Sequence, residues 1–266
     1  MRSPLNYLGG KSKLVARIVP MIPPDHTCYC EAFAGGAWVL FGKERSKCEV
    51  INDMDKELVT FWRVVQNHLE EFLRYFKYAL VSRELFNIEN RKDPTTLTDI
   101  QRACRYYYLQ RLAFGGRTAG RTFGTGTTGP ANLDVTAIQE RILEVHWRLA
   151  RVTIEDLPAL DCISRYDRQD TVFYLDPPYW HTAGYAVAWT DEDFTRLRDC
   201  LLTIKGRFIL SINDVPEIRR LFRQFRCQKV TTTYSVANVR GTSVNRAAPK
   251  AELLICNFDS GGRKLR

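Results

Sequence analysis

Thr171-Val172-Phe173-Tyr174-Leu175-Asp176-Pro177-Pro178-Tyr179 reads as an apolar strand that runs without a break into an acid, two prolines and an aromatic ring. The run Val172–Leu175 does not alternate, and Phe208-Ile209-Leu210-Ser211-Ile212 behaves the same way. A strand that is apolar on both sides belongs in a sheet covered on both faces by helices. Working outward, Thr27–Glu31, Cys48–Asn52, Val152–Glu155, Lys229–Tyr234 and Ala251–Asn257 also have strand composition. With Thr171–Asp176 and Gly206–Asn213 they make seven.

Helical periodicity fills the gaps. Phe194, Leu197, Leu201 and Leu202 form a stripe behind Thr190, with Asp193 placed for a capping box. Ile218, Leu221, Phe222 and Phe225 form another, with Pro216 suited to a first turn. Leu14, Ile18 and Met21 predict a short helix that Pro20 distorts at its end. Strands alternating with helices predict a doubly wound α/β sheet.

One interval breaks the alternation. Residues 61–151 are far longer than a crossover connection. Their stripes are Leu69, Phe72, Leu73 and Phe76; then Ile100, Cys104, Tyr107, Tyr108 and Leu112; then Val135, Ile138, Ile142, Val145 and Leu149, with Asp134 as N-cap. The reading is a small helical domain inserted into the sheet domain. Gly115–Gly129, rich in glycine and carrying Arg117 and Arg121, is a loop or hairpin region.

Composition bounds the function. The chain has 266 residues, 39 basic and 30 acidic side chains and a net charge of +9. Hydrophobic residues at 45% and charged residues at 26% describe a globular protein, not a disordered chain or a coiled coil. No apolar run approaches the ~20 residues of a membrane span, and Met1–Leu14 lacks a signal-peptide core, so an intracellular, cytoplasmic location is expected. The positive surplus fits a polyanionic partner and equally a solvated face. Eight cysteines contain no Cys-x-x-Cys pair, so no zinc site is expected. Cys28, Cys30, Cys48 and Cys256 lie in apolar strand-like segments and read as reduced, buried residues.

Three segments carry chemistry. Asp176-Pro177-Pro178-Tyr179 stands at the carboxyl end of a strand, where ligands bind in open α/β sheets. Its carboxylate and a prolyl carbonyl can accept from an exocyclic amine while the ring stacks on a base; a plain turn would look alike. Glu31-Ala32-Phe33-Ala34-Gly35-Gly36-Ala37 ends a strand in an acid and turns through small residues that admit a ligand to the backbone. The G-x-G-x-x-G dinucleotide spacing is absent. Asp53, at the tip of the next strand, can accept from both hydroxyls of a ribose or can cap the helix that begins at Lys56. Asn6-Tyr7-Leu8-Gly9-Gly10-Lys11-Ser12 ends like a P-loop, but Leu5 stands where the first glycine belongs, so an aromatic ring and a lysine on a flexible turn remain.

Taken together and in this order, Asn6–Lys11, Cys30–Ala37, Asn52-Asp53 and Asp176–Tyr179, with a long insertion after the second strand, resemble the Dam-type (D12 class) adenine-N6 DNA methyltransferases. The resemblance covers almost the whole chain. It implies a seven-stranded doubly wound methyltransferase sheet formed by residues 1–60 and 151–266, with residues 61–150 as an inserted, mainly helical target-recognition domain. It implies S-adenosylmethionine as cofactor, double-stranded DNA as partner, no metal, and a monomer or weak dimer on DNA. Tyr7, Lys11, Glu31, Phe33, Gly35, Asp53, Asp156 and Asp176 match its cofactor-binding positions. Asp176, Pro177, Pro178 and Tyr179 match its catalytic motif. The expected reaction takes a flipped-out adenine, because N6 is inaccessible inside the duplex.

Leu109-Gln110-Arg111-Leu112-Ala113-Phe114-Gly115-Gly116-Arg117 resembles the family's recognition segment, with Gln110 and Gly115 in place of two asparagines, which puts a GATC target in doubt. Arg111 keeps its place, and Arg117 and Arg121 are both candidates for the base-reading arginine, through paired bonds to guanine or through phosphate contacts alone. Arg240, Arg246 and Lys250, in a polar stretch between the last two strands, suit phosphate binding. Trp180–Trp189 is expected to order when DNA binds.

Overall fold

The continuous apolar runs pair side by side in the middle of one sheet. A computed structural model describes residues 1–7, 10–126, 132–182, 189–232, 250–259 and 261–265. Its strands are β1 (Cys28–Glu31), β2 (Cys48–Asn52), β3 (Val152–Glu155), β4 (Thr171–Leu175), β5 (Arg207–Asn213), β6 (Arg226–Thr232) and β7 (Lys250–Cys256). They follow the order β3-β2-β1-β4-β5-β7-β6. Phe173 of β4 sits beside Cys30 of β1 and Phe208 of β5 in parallel pairings, and β7 runs antiparallel to both β5 and β6. The seven expected strands are all present. β6 starts earlier than expected, at Arg226, and its expected end at Tyr234 lies outside the described residues.

Every residue of β4 is buried, because both faces are covered. Successive side chains point to opposite sides. Val172 and Tyr174 join an apolar cluster with Tyr29, Ile51 and the helices that follow β2, whereas Phe173 and Leu175 join Cys30, Val50 and the helices that follow β3. The order changes direction at β1 and β4, so the loops after these two strands open a crevice between them.

The helices are α1 (Val15–Ile18), α2 (Trp38–Gly42), α3 (Lys56–Asn67), α4 (Leu69–Phe76), α5 (Arg83–Arg91), α6 (Asp99–Leu112), α7 (Ile138–Leu149), α8 (Ala159–Tyr166), α9 (Asp191–Thr203) and α10 (Pro216–Leu221). The Thr190–Asp193 capping box forms, and α6 has one of its own from Thr98 and Gln101. Helices α3 to α7 occupy the long interval, and α3 and α7 pack together, with α3 also against β3. Phe61, Phe72, Phe76 and Tyr107 form a ring cluster inside this group, with Phe61 stacked on Tyr107 at 5.6 Å. Arg148 of α7 reaches the sheet: it pairs with Glu49 of β2, which Lys43 also binds at 2.6 Å. Burial pushes the Glu49 carboxyl up, but its bonds from Arg148 and Lys43 outweigh that and hold it below the usual range.

Three expectations need correction. Asp134 does not cap α7; it accepts from the Thr136 amide and hydroxyl in a turn of its own, and Val135 is exposed, because the helix begins at Ile138. Leu202 is exposed, since it lies about 100° around α9 from the buried Leu201. Cys48 is exposed at the first position of β2, where the sheet meets solvent, while Cys30 and Cys256 are buried and Cys28 is half-buried. The expected distortion by Pro20 is present, as a tight 3₁₀ turn, Val19–Met21, directly after α1. The pattern also left α5 unread. That helix buries only Phe86 and Glu89, too few positions for a stripe, and is started by Ser82, which accepts from the Leu85 amide.

Candidate active site

The strand ends of β1, β2 and β4 converge on one cavity of about 350 Å³, lined by residues from all three motif segments. Glu31 ends β1. Its Oε1 accepts from the Tyr29 hydroxyl at 2.9 Å and from the Leu40 amide in α2. Burial pushes the Glu31 carboxyl up to about 7, against the hydrogen bonds from Tyr29 and Leu40. The turn that follows holds Gly35 at φ +46 and Ala37 at φ +50, both in the left-handed region. A Cβ on Gly35 would stand 3.1 Å from the Tyr7 ring, so the absence of a side chain lets that ring close over the turn.

Asp53 sits beneath the same turn. Its Oδ2 accepts from the Gly35 amide at 2.9 Å and its Oδ1 from the Asp55 amide at 3.0 Å. The cap of α3 is Asp55, which accepts from the Glu57 and Leu58 amides, so Asp53 is spared that task. Burial raises the Asp53 carboxyl to about 6 despite those two amides. Asn52 ties the strand ends together: Nδ2 donates to the carbonyls of Ala32 and Leu157, and Oδ1 accepts from the Leu157 amide.

Asp176 stands where the cavity meets the Asp176–Tyr179 turn. Lys11 Nζ lies 2.8 Å from Asp176 Oδ1, and Ser211 on β5 donates to the same oxygen at 2.9 Å. The Tyr174 hydroxyl meets Ser211 Oγ at 2.8 Å, completing a buried relay. Burial raises the Asp176 carboxyl, and Lys11 works against that rise. Lys11 Nζ also sits 4.6 Å from the centre of the Tyr179 ring. Beyond Tyr179, the Asn213 side chain clasps the Trp180 backbone on both sides, accepting from its amide at 2.9 Å and donating to its carbonyl at 3.2 Å. The turn is thus fixed by β5 as well as by its prolines.

Tyr7, Lys11, Glu31, Phe33, Gly35, Asp53, Asp176 and Pro178 line the cavity together. Pro177 and Tyr179 lie beside it, not in its wall, and Asp156 is exposed outside it. Trp38, Trp189 and Asp55 also line it, unforeseen from the sequence. Trp189 meets Phe33 edge to face at 5.2 Å. Ser211 carried a usable signal, being the one polar side chain in the apolar run Phe208–Ile212.

The basic candidates separate. Arg117 is exposed. Arg121 lies over the Tyr106 ring at 5.4 Å, and its charge is felt by Asp55 and Tyr7. Arg111 turns inward to Pro4 and Asn6 and bonds the Asn132 carbonyl. Gly115 has φ +67 with open space around it, a conformation that asparagine tolerates better than most residues. Arg240 and Arg246, the positions 183–188 within Trp180–Trp189, and the side chain of Lys250 at the start of β7 lie outside the described residues.

A family model described as D12 class N6 adenine-specific DNA methyltransferase matches residues 7–236. The chain belongs to this family. It is 26% identical over 228 residues to the type II methyltransferase M.CviBI of Paramecium bursaria Chlorella virus NC1A, covering 84% of this chain and 86% of that protein. It is 24% identical over 272 residues to the type II methyltransferase M1.LlaDCHI of Lactococcus lactis subsp. cremoris, covering 95% and 94%. Similarity to the type II methyltransferase M.FokI of Planomicrobium okeanokoites is 25% over 222 residues, 76% of this chain and 33% of that longer protein. The family match makes this an adenine-specific DNA methyltransferase, and its sheet is of the α/β kind expected. Among the described residues no helix is long and apolar enough to cross a membrane.

Proposed function

We propose that this enzyme methylates N6 of a flipped-out adenine in duplex DNA from S-adenosylmethionine held in the cavity below Gly35. The observation that carries the reading is the position of Asp176. One carboxylate stands in the wall of the cavity and holds Lys11, whose Nζ also lies over the Tyr179 ring.

The cavity suits the donor. Glu31, Asp53, Asp55 and Asp176 surround it with acid, which complements a sulfonium and an ammonium group, and Lys11 supplies a cation for a carboxylate. Asp53 would hold the ribose hydroxyls, while Tyr7, Phe33 and the Gly35 turn would enclose the nucleoside. The exposed Asp156 would act only from the rim. When bound, S-adenosylmethionine supplies an electrophilic methyl group whose departure leaves a neutral thioether.

The remaining chemistry belongs to the chain. Tyr179 would stack on the extruded ring, which costs a few kcal/mol to unstack from the duplex. Asp176 and the Pro177 carbonyl would accept from the two N6 hydrogens, and Pro178 keeps that turn rigid. This would aim the nitrogen lone pair into the cavity toward the methyl carbon that the donor would supply, an N–C bond replacing the donor's C–S bond. Positive charge grows on N6, and a fixed buried carboxylate stabilises it. The proton is lost from the methylated amine to Asp176 or to water. No step calls for a metal.

Residues 1–60 with 151–266 would form the catalytic part and residues 61–150 the recognition part, with α3 and α7 at the boundary packed on the catalytic side. Arg117, Arg121, Arg240, Arg246 and Lys250 would face DNA, whereas Arg111 serves the protein interior first. The test is incubation with methyl-labelled S-adenosylmethionine and unmethylated genomic DNA, RNA or protein, followed by mapping of methyladenine. Label in DNA at one repeated sequence supports the reading. Label confined to RNA or protein overturns it.

A further inference from the structure

Asn6, Gln110 and Gly116 meet at one point, although Asn6 and Gln110 are 104 residues apart. Gln110 lies in the last turn of α6 and is fully buried. Its Nε2 donates both to the Asn6 carbonyl and to the Gly116 carbonyl, the latter at 2.7 Å. Gly116 has φ +65, and a Cβ there would stand 2.8 Å from the Asn6 oxygen. Only a glycine lets the two backbones come so close. Arg111 strengthens the joint by donating to Asn6 Oδ1 at 3.2 Å.

The two segments joined here have different duties. Asn6 leads directly to Tyr7, packed on the Gly35 turn, and then to Lys11 on Asp176. Gly116 leads directly to Arg117 and Arg121. An ordinary tether fastens one loop to the body of a protein. Gln110 instead fastens the start of the donor-site segment to the start of the recognition segment, from a helix that is capped at one end and buried along most of its length.

We propose that Gln110 is a positioning residue that couples the donor cavity to the DNA surface, so that occupancy of either changes affinity for the other. The inference rests on the proposed function. Displacement of the recognition segment by DNA pulls on Asn6 through one amide, and closure of Tyr7 over a nucleoside pulls on Gly116 through the same amide. Coupling of this kind is reciprocal in binding.

The test measures the dissociation constant of S-adenosylhomocysteine, the demethylated donor product that cannot react, with and without saturating unmethylated genomic DNA fragments. Wild-type protein should show a ratio of about 5–150, and Gln110→Ala a ratio near 1 while S-adenosylhomocysteine alone still binds. Gln110→Glu keeps the volume but, ionised, offers only acceptors to two carbonyls. Its ratio should be near 1 at high pH and recover as the pH is lowered, because a protonated carboxyl can donate to one carbonyl. This second variant decides the matter if Gln110→Ala does not fold. A wild-type ratio of 1, or variants that lose thermal stability and keep the wild-type ratio, would overturn the coupling. Absence of any S-adenosylhomocysteine binding by wild-type protein would overturn the proposed function as well.

Discussion

Lys11 Nζ holds Asp176 Oδ1 at 2.8 Å and simultaneously lies 4.6 Å from the centre of the Tyr179 ring. These are the two contacts that the amine and the ring of an adenine would make. On the proposed reading the lysine occupies the place of the target base, which would have to displace it. A donor carboxylate in the cavity gives the ammonium another partner, which favours donor first and DNA second. Lys11→Met removes the charge that holds the Asp176 carboxyl down, so burial raises that carboxyl further. Because the carboxylate must be ionised to accept from N6, the acid limb of kcat/KM should move to higher pH in the variant. A pH–rate profile with an unmoved acid limb would count against the role of Lys11.

Asp176→Ala should lower turnover by at least ~10²–10³, the loss seen when one preorganised electrostatic partner is removed. Donor affinity should fall less, since Glu31, Asp53 and Gly35 remain. Single-turnover methylation beside equilibrium dialysis with S-adenosylmethionine separates the two.

Stacking on Tyr179 predicts unequal variants. Base–aromatic stacking is worth ~1–3 kcal/mol, so Tyr179→Ala should lose about 5–150-fold in kcat/KM, whereas Tyr179→Phe keeps the ring and most of the rate. Fluorescence of 2-aminopurine at the target position reports extrusion directly. Equal extrusion in Tyr179→Ala and wild-type protein would remove the ring from the mechanism.

Asp53 should make donor binding pH-dependent. Its carboxyl is raised to about 6, so the anion that would accept from ribose hydroxyls on the proposed reading is present above that pH and lost below it. Donor affinity should drop as the pH falls from 7 to 5, and Asp53→Asn should flatten that limb. A limb near pH 7 that survives the substitution belongs to Glu31, raised to about 7.

The arginines of the recognition segment divide by exposure. Arg117→Ala should weaken DNA binding and flatten the slope of log K against log salt by ~0.9 if it neutralises one phosphate. Arg111→Ala should leave that slope unchanged and lower the melting temperature, because its bonds go to Pro4, Asn6 and Asn132.

Strand positions and the two ends of the crevice were readable because each depends on contiguous residues. Val172–Leu175 is apolar on both faces wherever it is placed, and the acid after it must fall at the strand's end. Gln110, Asn213 and Trp38 were not readable in the same way. Each acts on a backbone or a cavity brought close only by folding, and a polar side chain carries no local mark of a distant partner. Asp53 is an intermediate case. Its place at a strand tip was plain, but only the fold shows that Asp55, two residues on, takes the cap and leaves Asp53 out of it. Arg111 shows the opposite trap, since a motif position occupied by arginine gave no hint that its guanidinium turns inward.

The ion cluster of Glu49, Lys43 and Arg148 bears on how specificities could be exchanged between relatives. All three side chains are buried, and the arginine arrives from α7 while the acid belongs to β2. Removing one member of such a group strands a charge, at a cost of about 3–5 kcal/mol. A chimera cut at residue 61 would also split α3, whose first turn lines the donor cavity at Lys56 and Glu57. Transplanted recognition segments should therefore be grafted inside the insertion, leaving α3 and α7 with the recipient. The outer helices can be traded between enzymes; the two that flank them belong to the chassis.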